Sequence, residues 1–497
     1  MFYGRVGQRV EGADRAANAV QLQVDEDPDG RWPLAHDLAD NEVGETLIVH
    51  SRVLPRACLG NAGVLRRSLR CNKERRWKPP QSVPRQNPEP ALPPDVRTMQ
   101  KRKPQGGIPR GIDRDGPAIL SYGFRPFFLA AGCYGVIAMA GWVAALTLGV
   151  EPGGRTYGAA FWHGHEILFG YAAAALAGFL LTAVPNWTGR LPVSGYPLLG
   201  LLVVWAAGRI AMLTPDSFGL WFAALLDMAF LPLLAAIIAR EVLAGRNWKN
   251  LKVLAGVSVL ALSNGYAHIA VLSGSDPLIP LRLAVATYVA LVALVGGRII
   301  PSFTRNWLVR SGATRLPASF DKVDLAAVAV LIPALLAWVI VPDQPLIAIP
   351  AGLAALLNAY RLWRWRGGRT VAEPSVAVLH AGYSFVALGL LAIAASAQGW
   401  TSQASSMHVL TVGVIGVMTL AVMTRASLGH TGRSLVATRS TALSYMLVLV
   451  AAAIRPFAEV LPDHYNTLLA VAGIAWIAAF GTFVLEYGPI LIAKKHH

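Results

Sequence analysis

Twelve apolar stretches of about twenty residues follow one another along most of this chain, and no water-soluble core accommodates that pattern. About twenty apolar residues coiled as a helix cross the roughly 30 Å of hydrocarbon in a bilayer. Helices are predicted over 127–149, 160–184, 195–214, 217–243, 252–273, 278–300, 322–341, 344–364, 375–398, 403–424, 438–458 and 466–491. The expected fold class is therefore an all-α polytopic membrane protein with about twelve transmembrane helices. Composition agrees, since only 14% of the 497 residues are charged, against roughly a quarter in soluble domains.

The loops test the count, because Lys and Arg gather on the cytoplasmic side of a membrane protein. Every second turn is basic: Arg190; Arg246, Lys249 and Lys252; Arg305, Arg310 and Arg315; Arg361, Arg364, Arg366 and Arg369; Arg433 and Arg439; Lys494 and Lys495. Of the 29 Lys and Arg after residue 98, 25 fall on that side. Only Arg155, Arg209, Arg282 and Arg455 fall on or near the other. Both termini are thus expected in the cytoplasm, with the protein in the inner (cytoplasmic) membrane of a bacterium. The net charge of +16 is then a property of membrane-flanking loops, not of a nucleic-acid-binding surface.

Residues 1–98 read differently. They mix acids and bases, end in a Pro-rich stretch from Lys78 to Pro94, and contain no apolar segment long enough to span. They are expected to be a disordered or spurious extension, with translation starting at Met99 ahead of Lys101, Arg102 and Lys103. Residues 99–126 would form a basic cytoplasmic leader, 127–491 the membrane domain and 492–497 a cytoplasmic tail. The three cysteines, Cys58, Cys71 and Cys133, form no CxxC or CxxCH motif. They are too few for a disulfide framework or a cysteine metal site, and covalently attached haem is not expected.

Ionisable residues at membrane depth are expensive and mark function. His163 and His165 with Glu166 open the second helix, His268 lies five residues from the outer end of the fifth, and His408 lies near the outer end of the tenth. At 1.5 Å of rise per residue these four histidines share one outer-leaflet tier, a candidate metal site for copper or haem iron. A regular helix points residues i and i+2 about 200° apart. His163 and His165 therefore chelate one ion only if the helix start is unwound; otherwise each faces a different ligand. Glu166 is placed to orient one of the rings. Arg209, Arg282 and Arg455 are candidates to anchor haem propionates through their guanidinium forks. On the inner side, His380 and His430 are candidates for a second site. Three segments there, Val184–Arg190, Gly296–Asn306 and Thr424–Arg433, are expected to cap helix ends.

Gly123-Phe124-Arg125-Pro126-Phe127-Phe128 and Trp162-His163-Gly164-His165-Glu166-Ile167-Leu168-Phe169-Gly170 resemble the NnrS family. The runs Ala177–Arg190, Gly297–Asn306 and Met418–Arg433 extend the resemblance over residues 118–490. It implies a twelve-helix membrane protein containing haem and copper, linked to denitrification and to nitric oxide stress, with nitric oxide as ligand. No flavin, c-haem or iron–sulfur motif supplies electrons, so binding or protection is favoured over turnover. Transport of a metal, haem or small anion is the alternative from a different class, and kinship with haem–copper oxidases would require more histidines.

Overall fold

The computed structural model describes residues 116–494, together with a short antiparallel pairing of Gly4–Arg5 with Gln21–Leu22. The expected extension over residues 1–98 otherwise lies outside the described residues, as do most of the leader and residues 495–497. Twelve helices among the described residues are long and apolar enough to cross a membrane. They are α1 Phe124–Leu148, α2 Gly154–Thr188, α3 Tyr196–Leu213, α4 Leu220–Ala244, α5 Trp248–Leu272 and α6 Leu278–Arg310. The series continues with α7 Lys322–Ile340, α8 Pro345–Arg369, α9 Pro374–Ala397, α10 Gln403–His430, α11 Arg439–Phe457 and α12 Pro462–Ile492. The chain is a multi-pass, all-α membrane protein.

Helices dominate because hydrocarbon offers backbone amides no partners, so each span must satisfy its own. Consecutive helices pack side by side, and α12 returns to pack on α1, closing the bundle. Arg125 holds this seam from the first turn of α1, donating from Nη1 to the carbonyls of Leu491 and Ala493 at 2.8 and 2.7 Å. The expected leader thus gives way to helix before residue 127. Large apolar side chains such as Val203, Leu262, Leu356 and Leu485 stay exposed on the outside of the bundle, where lipid would cover them. α2, α6, α9 and α10 are the most buried spans.

Two of these central helices depart from α geometry. In α2 the backbone breaks at Gly158, whose φ of 72° favours glycine. It then widens into a π-helical stretch over Glu166–Ala172, and α10 does the same over Val409–Gly416. Each π stretch begins directly after a histidine, His165 in one and His408 in the other. Tyr171 and Thr419 join the two helices through a hydroxyl–hydroxyl hydrogen bond.

The segment Gly296–Asn306 does not cap α6 as expected. The helix runs through Pro301 to Arg310, because a proline removes one backbone hydrogen bond and the ladder resumes beyond it. Gly297 serves packing instead: a Cβ there would collide with the Arg361 guanidinium. His430, expected in a loop, is the last residue of α10, its ring 5.5 Å from that of Phe124.

Arg361 is the polar knot of the basic end. It is 1% exposed and donates from Nε to Asp324 Oδ1 at 2.7 Å, and from Nη1 to the Ala293 carbonyl and to Tyr383 Oη. Tyr383 in turn donates its hydroxyl hydrogen bond to Asn358 Oδ1 at 2.8 Å. Neutral groups surround the Arg361–Asp324 pair, and Arg364 stands as a more distant second cation, 3.8 Å from Asp324 Oδ2. Breaking such a pair strands a buried charge at a cost of about 3–5 kcal/mol. Asp324→Ala should therefore lower the thermal melting temperature in detergent strongly, while Asp324→Asn combined with Arg361→Met should recover much of the loss.

At the exposed start of α7, Asp321 caps the helix by accepting from the Val323 amide at 2.9 Å and pairs with Arg364. The Arg364 hydrogen bond, helped by backbone amides, holds the Asp321 carboxyl down at about 2, below its ordinary 3.8. Because the folded value is the lower one, the stabilisation is complete above pH 3.8 and disappears as pH falls through about 2. Melting curves of Asp321→Asn should lie below the parent's at neutral pH and converge with them in strong acid.

Candidate functional site

A cluster of buried polar side chains occupies the charge-poor end of the bundle, drawn from α1 to α5. His165 and Glu166 stand where α2 widens. Arg209 comes from α3, Asp227 from α4, and Asn264 and His268 from one face of α5, one turn apart. Tyr134 of α1 and Tyr157 of α2 close the ends. All eight are buried, with His165, Glu166 and His268 fully so.

The connections form one chain. Tyr157 Oη lies 2.8 Å from His268 Nδ1, and His268 Nε2 lies 2.8 Å from Asp227 Oδ2. Asn264 donates from Nδ2 to the same Asp227 oxygen at 2.8 Å. His165 Nε2 is 2.9 Å from Asn264 Oδ1 and 3.2 Å from Asp227 Oδ2, while His165 Nδ1 donates to Glu166 Oε1 at 2.9 Å. Arg209 donates from Nη1 to Glu166 Oε2 at 2.6 Å, and its other terminal nitrogen pairs with Asp227 Oδ1. Tyr134 donates to Glu166 Oε2.

Close packing makes this possible. A Cβ on Gly170 would press on Tyr134, Arg209 and Glu166, and one on Gly208 would meet the Asp227 backbone at 2.9 Å. Glycine at both positions lets the Arg209 guanidinium lie between the two carboxylates.

Two consequences follow from charge and lone pairs. With both carboxylates ionised and both imidazoles neutral, two negative charges face one arginine, leaving one negative charge in excess in a setting where uncompensated charge is costly. His165 Nδ1 gives its proton to Glu166, so Nε2 of a neutral ring turns a lone pair towards two oxygens that can only accept. His165, Asp227 and His268 each offer a ligand atom within 4.8 Å of the others. The chemistry of this donor set calls for a cation at their centre, a proton or a metal ion.

The other expected residues go elsewhere. The predicted tier divides: His165 and His268 come together with ring centroids 4.9 Å apart, whereas His163 turns away. Its ring stacks on Trp142 at 4.7 Å and 15°, and its buried Nδ1 has no hydrogen-bond partner. His163 lies within electrostatic reach of His408 and Arg455, so these three make a second group. His408 Nδ1 donates to the Ala404 carbonyl at 2.7 Å, and Arg455 pairs with Glu459 at 2.9 Å. Of the three outer arginines, Arg209 is committed to carboxylates inside the cluster. Arg282, on α6, is buried with an unpartnered Nε. At the basic end His380 Nε2 lies 2.8 Å from Thr304 Oγ1, while His430 lies against Phe124, so the two face different partners.

Sequence reading overlooked Asp227, Asn264, Tyr134 and Tyr157. Asp227 carried a signal, as an acid well inside an apolar span with no basic neighbour on its own helix turn. The tyrosines and Asn264 carried none, because such residues are ordinary in any helix.

A fully buried histidine–carboxylate cluster inside twelve helices long and apolar enough to span defines an integral membrane protein built around a polar core. The chain belongs to the NnrS protein family, whose profile matches residues 118–495, and membership makes it a membrane protein of the nitric oxide response in general terms. No curated protein matches the sequence.

Removing the one cation of the cluster tests its electrostatics. Arg209→Met leaves Glu166 and Asp227 facing each other and should reduce folded yield and melting temperature, with a cost of about 3–5 kcal/mol. Adding Glu166→Gln should restore part of both in detergent melting assays.

Proposed function

We propose that this protein binds copper at His165, Asp227 and His268 and haem beside His163 and His408, and that it uses these centres to capture nitric oxide in the bacterial inner membrane. It would thereby limit nitrosative damage or support denitrification. The single observation behind the copper assignment is that His165, Asp227 and His268, all buried, each offer a ligand atom within 4.8 Å of the others. Imidazole nitrogen suits copper, and a monovalent copper ion would cancel the excess charge. For haem, the supporting observation is the buried, unpartnered Nδ1 of His163. Arg282, whose buried Nε has no hydrogen-bond partner, is the arginine best placed to meet a propionate, since Arg209 and Arg455 already pair with carboxylates of the chain.

When bound, haem iron and copper offer nitric oxide a metal to coordinate. The chain's own residues perform the positioning. Glu166 accepts from His165 Nδ1 and so aims Nε2 at the metal position, as carboxylates behind metal-bound histidines commonly do. Asp227 would supply the anionic ligand and is itself fixed by Arg209 and Asn264. Tyr157 faces the far nitrogen of His268 at 2.8 Å and, able to donate or accept, holds the ring in place in either tautomer. Complete burial keeps water from the site, which also suits capture of a gas that partitions into lipid.

Metal analysis and the visible spectrum of the purified full-length protein test the proposal. His165→Ala and His268→Ala should each remove copper while preserving the Soret band. His163→Ala and His408→Ala should weaken the Soret band and leave copper in place. A colourless, metal-free protein would instead favour the transport alternative.

A further inference from the structure

Beneath the histidine groups, between α1, α2, α5, α6 and α10, lies a cavity of about 90 Å³. Its wall is almost wholly apolar, with Ala172, Ala175, Val292, Ile415, Met418 and Met423 prominent in it. The two hydroxyls at its edge are already engaged. Tyr288 Oη donates to the Leu168 carbonyl at 2.8 Å, and Thr419 Oγ1 donates to the Ile415 carbonyl at 2.7 Å. No polar group is therefore free to hold an anion, an ordered water or the carbonyls of a quinone. The volume is also below the ~150 Å³ of an enclosed apolar void that stays dry and accommodates benzene or xenon.

The placement of the cavity is as informative as its lining. Ala172 ends the π stretch that Glu166 begins, and Ile415 belongs to the other π stretch. Such stretches occur often at functional sites. From Glu166 to Ala172 is six residues, at most about 9 Å along the helix axis. On the opposite side Leu176, Val292, Val295 and Ile299 are only partly buried. Val292 and Val295 lie at the middle of α6, the depth at which lipid tails would meet them. The cavity is thus bounded by the site-bearing helix above and lies open to the hydrocarbon layer at its side.

We propose that this cavity admits a small apolar diatomic gas from the bilayer and holds it next to the metal-binding helices, nitric oxide being the physiological occupant. The inference rests on nitric oxide as the ligand of the proposed metal centres, and it adds the route and the waiting position. Room exists because residues 172 and 175 are alanines. Larger side chains there would fill the space without touching His165, Asp227 or His268.

The test uses the full-length, metal-loaded protein, with xenon as a probe of the cavity and nitric oxide as a probe of the route. Xenon-pressurised crystals of the parent should show xenon against Ala175 and Met418, and Ala175→Phe should abolish it. In stopped-flow mixing, Ala175→Phe should slow nitric oxide association by about tenfold, within the range over which association rates vary among variants of one site. Copper, haem and the equilibrium spectrum should be unchanged. Ala172→Val provides the same readings should the phenylalanine variant not fold. Absence of xenon from the parent, or a lipid chain filling the space, would overturn the assignment. Xenon binding with unaltered association rates in both filled variants would overturn the route. A parent that takes up xenon but shows no nitric oxide signal at its metals would instead remove nitric oxide as the ligand, and the route with it.

Discussion

Burying charge in a bilayer is the constraint on which this molecule turns. Arg209 lies between Glu166 and Asp227 at the junction of the first five helices, and a charge left alone there would be untenable. That need pulls α2, α3 and α4 together, and Asp227 brings in α5 through Asn264 and His268. Glycines at 170 and 208 are required because the guanidinium has to fit between two helices in contact. Backbone geometry, helix packing and site chemistry are thus consequences of one electrostatic problem.

The two ends of the bundle solve that problem differently. At the basic end Arg361 meets Asp324, with Tyr383 and the Ala293 carbonyl completing its hydrogen bonds and Asn358 accepting from Tyr383. The charges there cancel and the knot reads as structural. At the charge-poor end the same ingredients recur, an arginine, carboxylates and a tyrosine, but there two carboxylates share one arginine and two histidines are added. A cluster that retains an unbalanced charge in a membrane costs stability, and proteins keep such costs where a ligand offsets them. The contrast between the ends is a stronger functional argument than either cluster alone.

Deviations from regular helix geometry fall in the same place. Between the break at Gly158 and the π stretch from Glu166, a regular helical turn sends His163 and His165 to opposite neighbours, one to Trp142 and the other to Asp227. The second π stretch follows His408 on α10, and the Tyr171–Thr419 hydrogen bond couples the two helices. Such widened turns forgo regular hydrogen bonds, and they gather here around the apolar cavity and the histidines instead of being spread through the twelve spans.

The sequence by itself determined the number of spans, because apolar length and backbone satisfaction in hydrocarbon leave a helix as the only solution for each stretch. It also marked His165, His268 and Glu166 as residues worth their cost at membrane depth, and the family motifs lie on the same segments. Helix ends near prolines were less legible: α6 continues through Pro301, since packing on α7 and α9 outweighs one missing hydrogen bond. Only the tertiary structure decided which histidines meet. Rotation of each helix about its axis is set by side-chain packing between neighbours, and that information is absent from the depth of a residue along its own helix. Hence Asp227 and Arg209, distant in sequence from both His165 and His268, became the partners that give the site its charge.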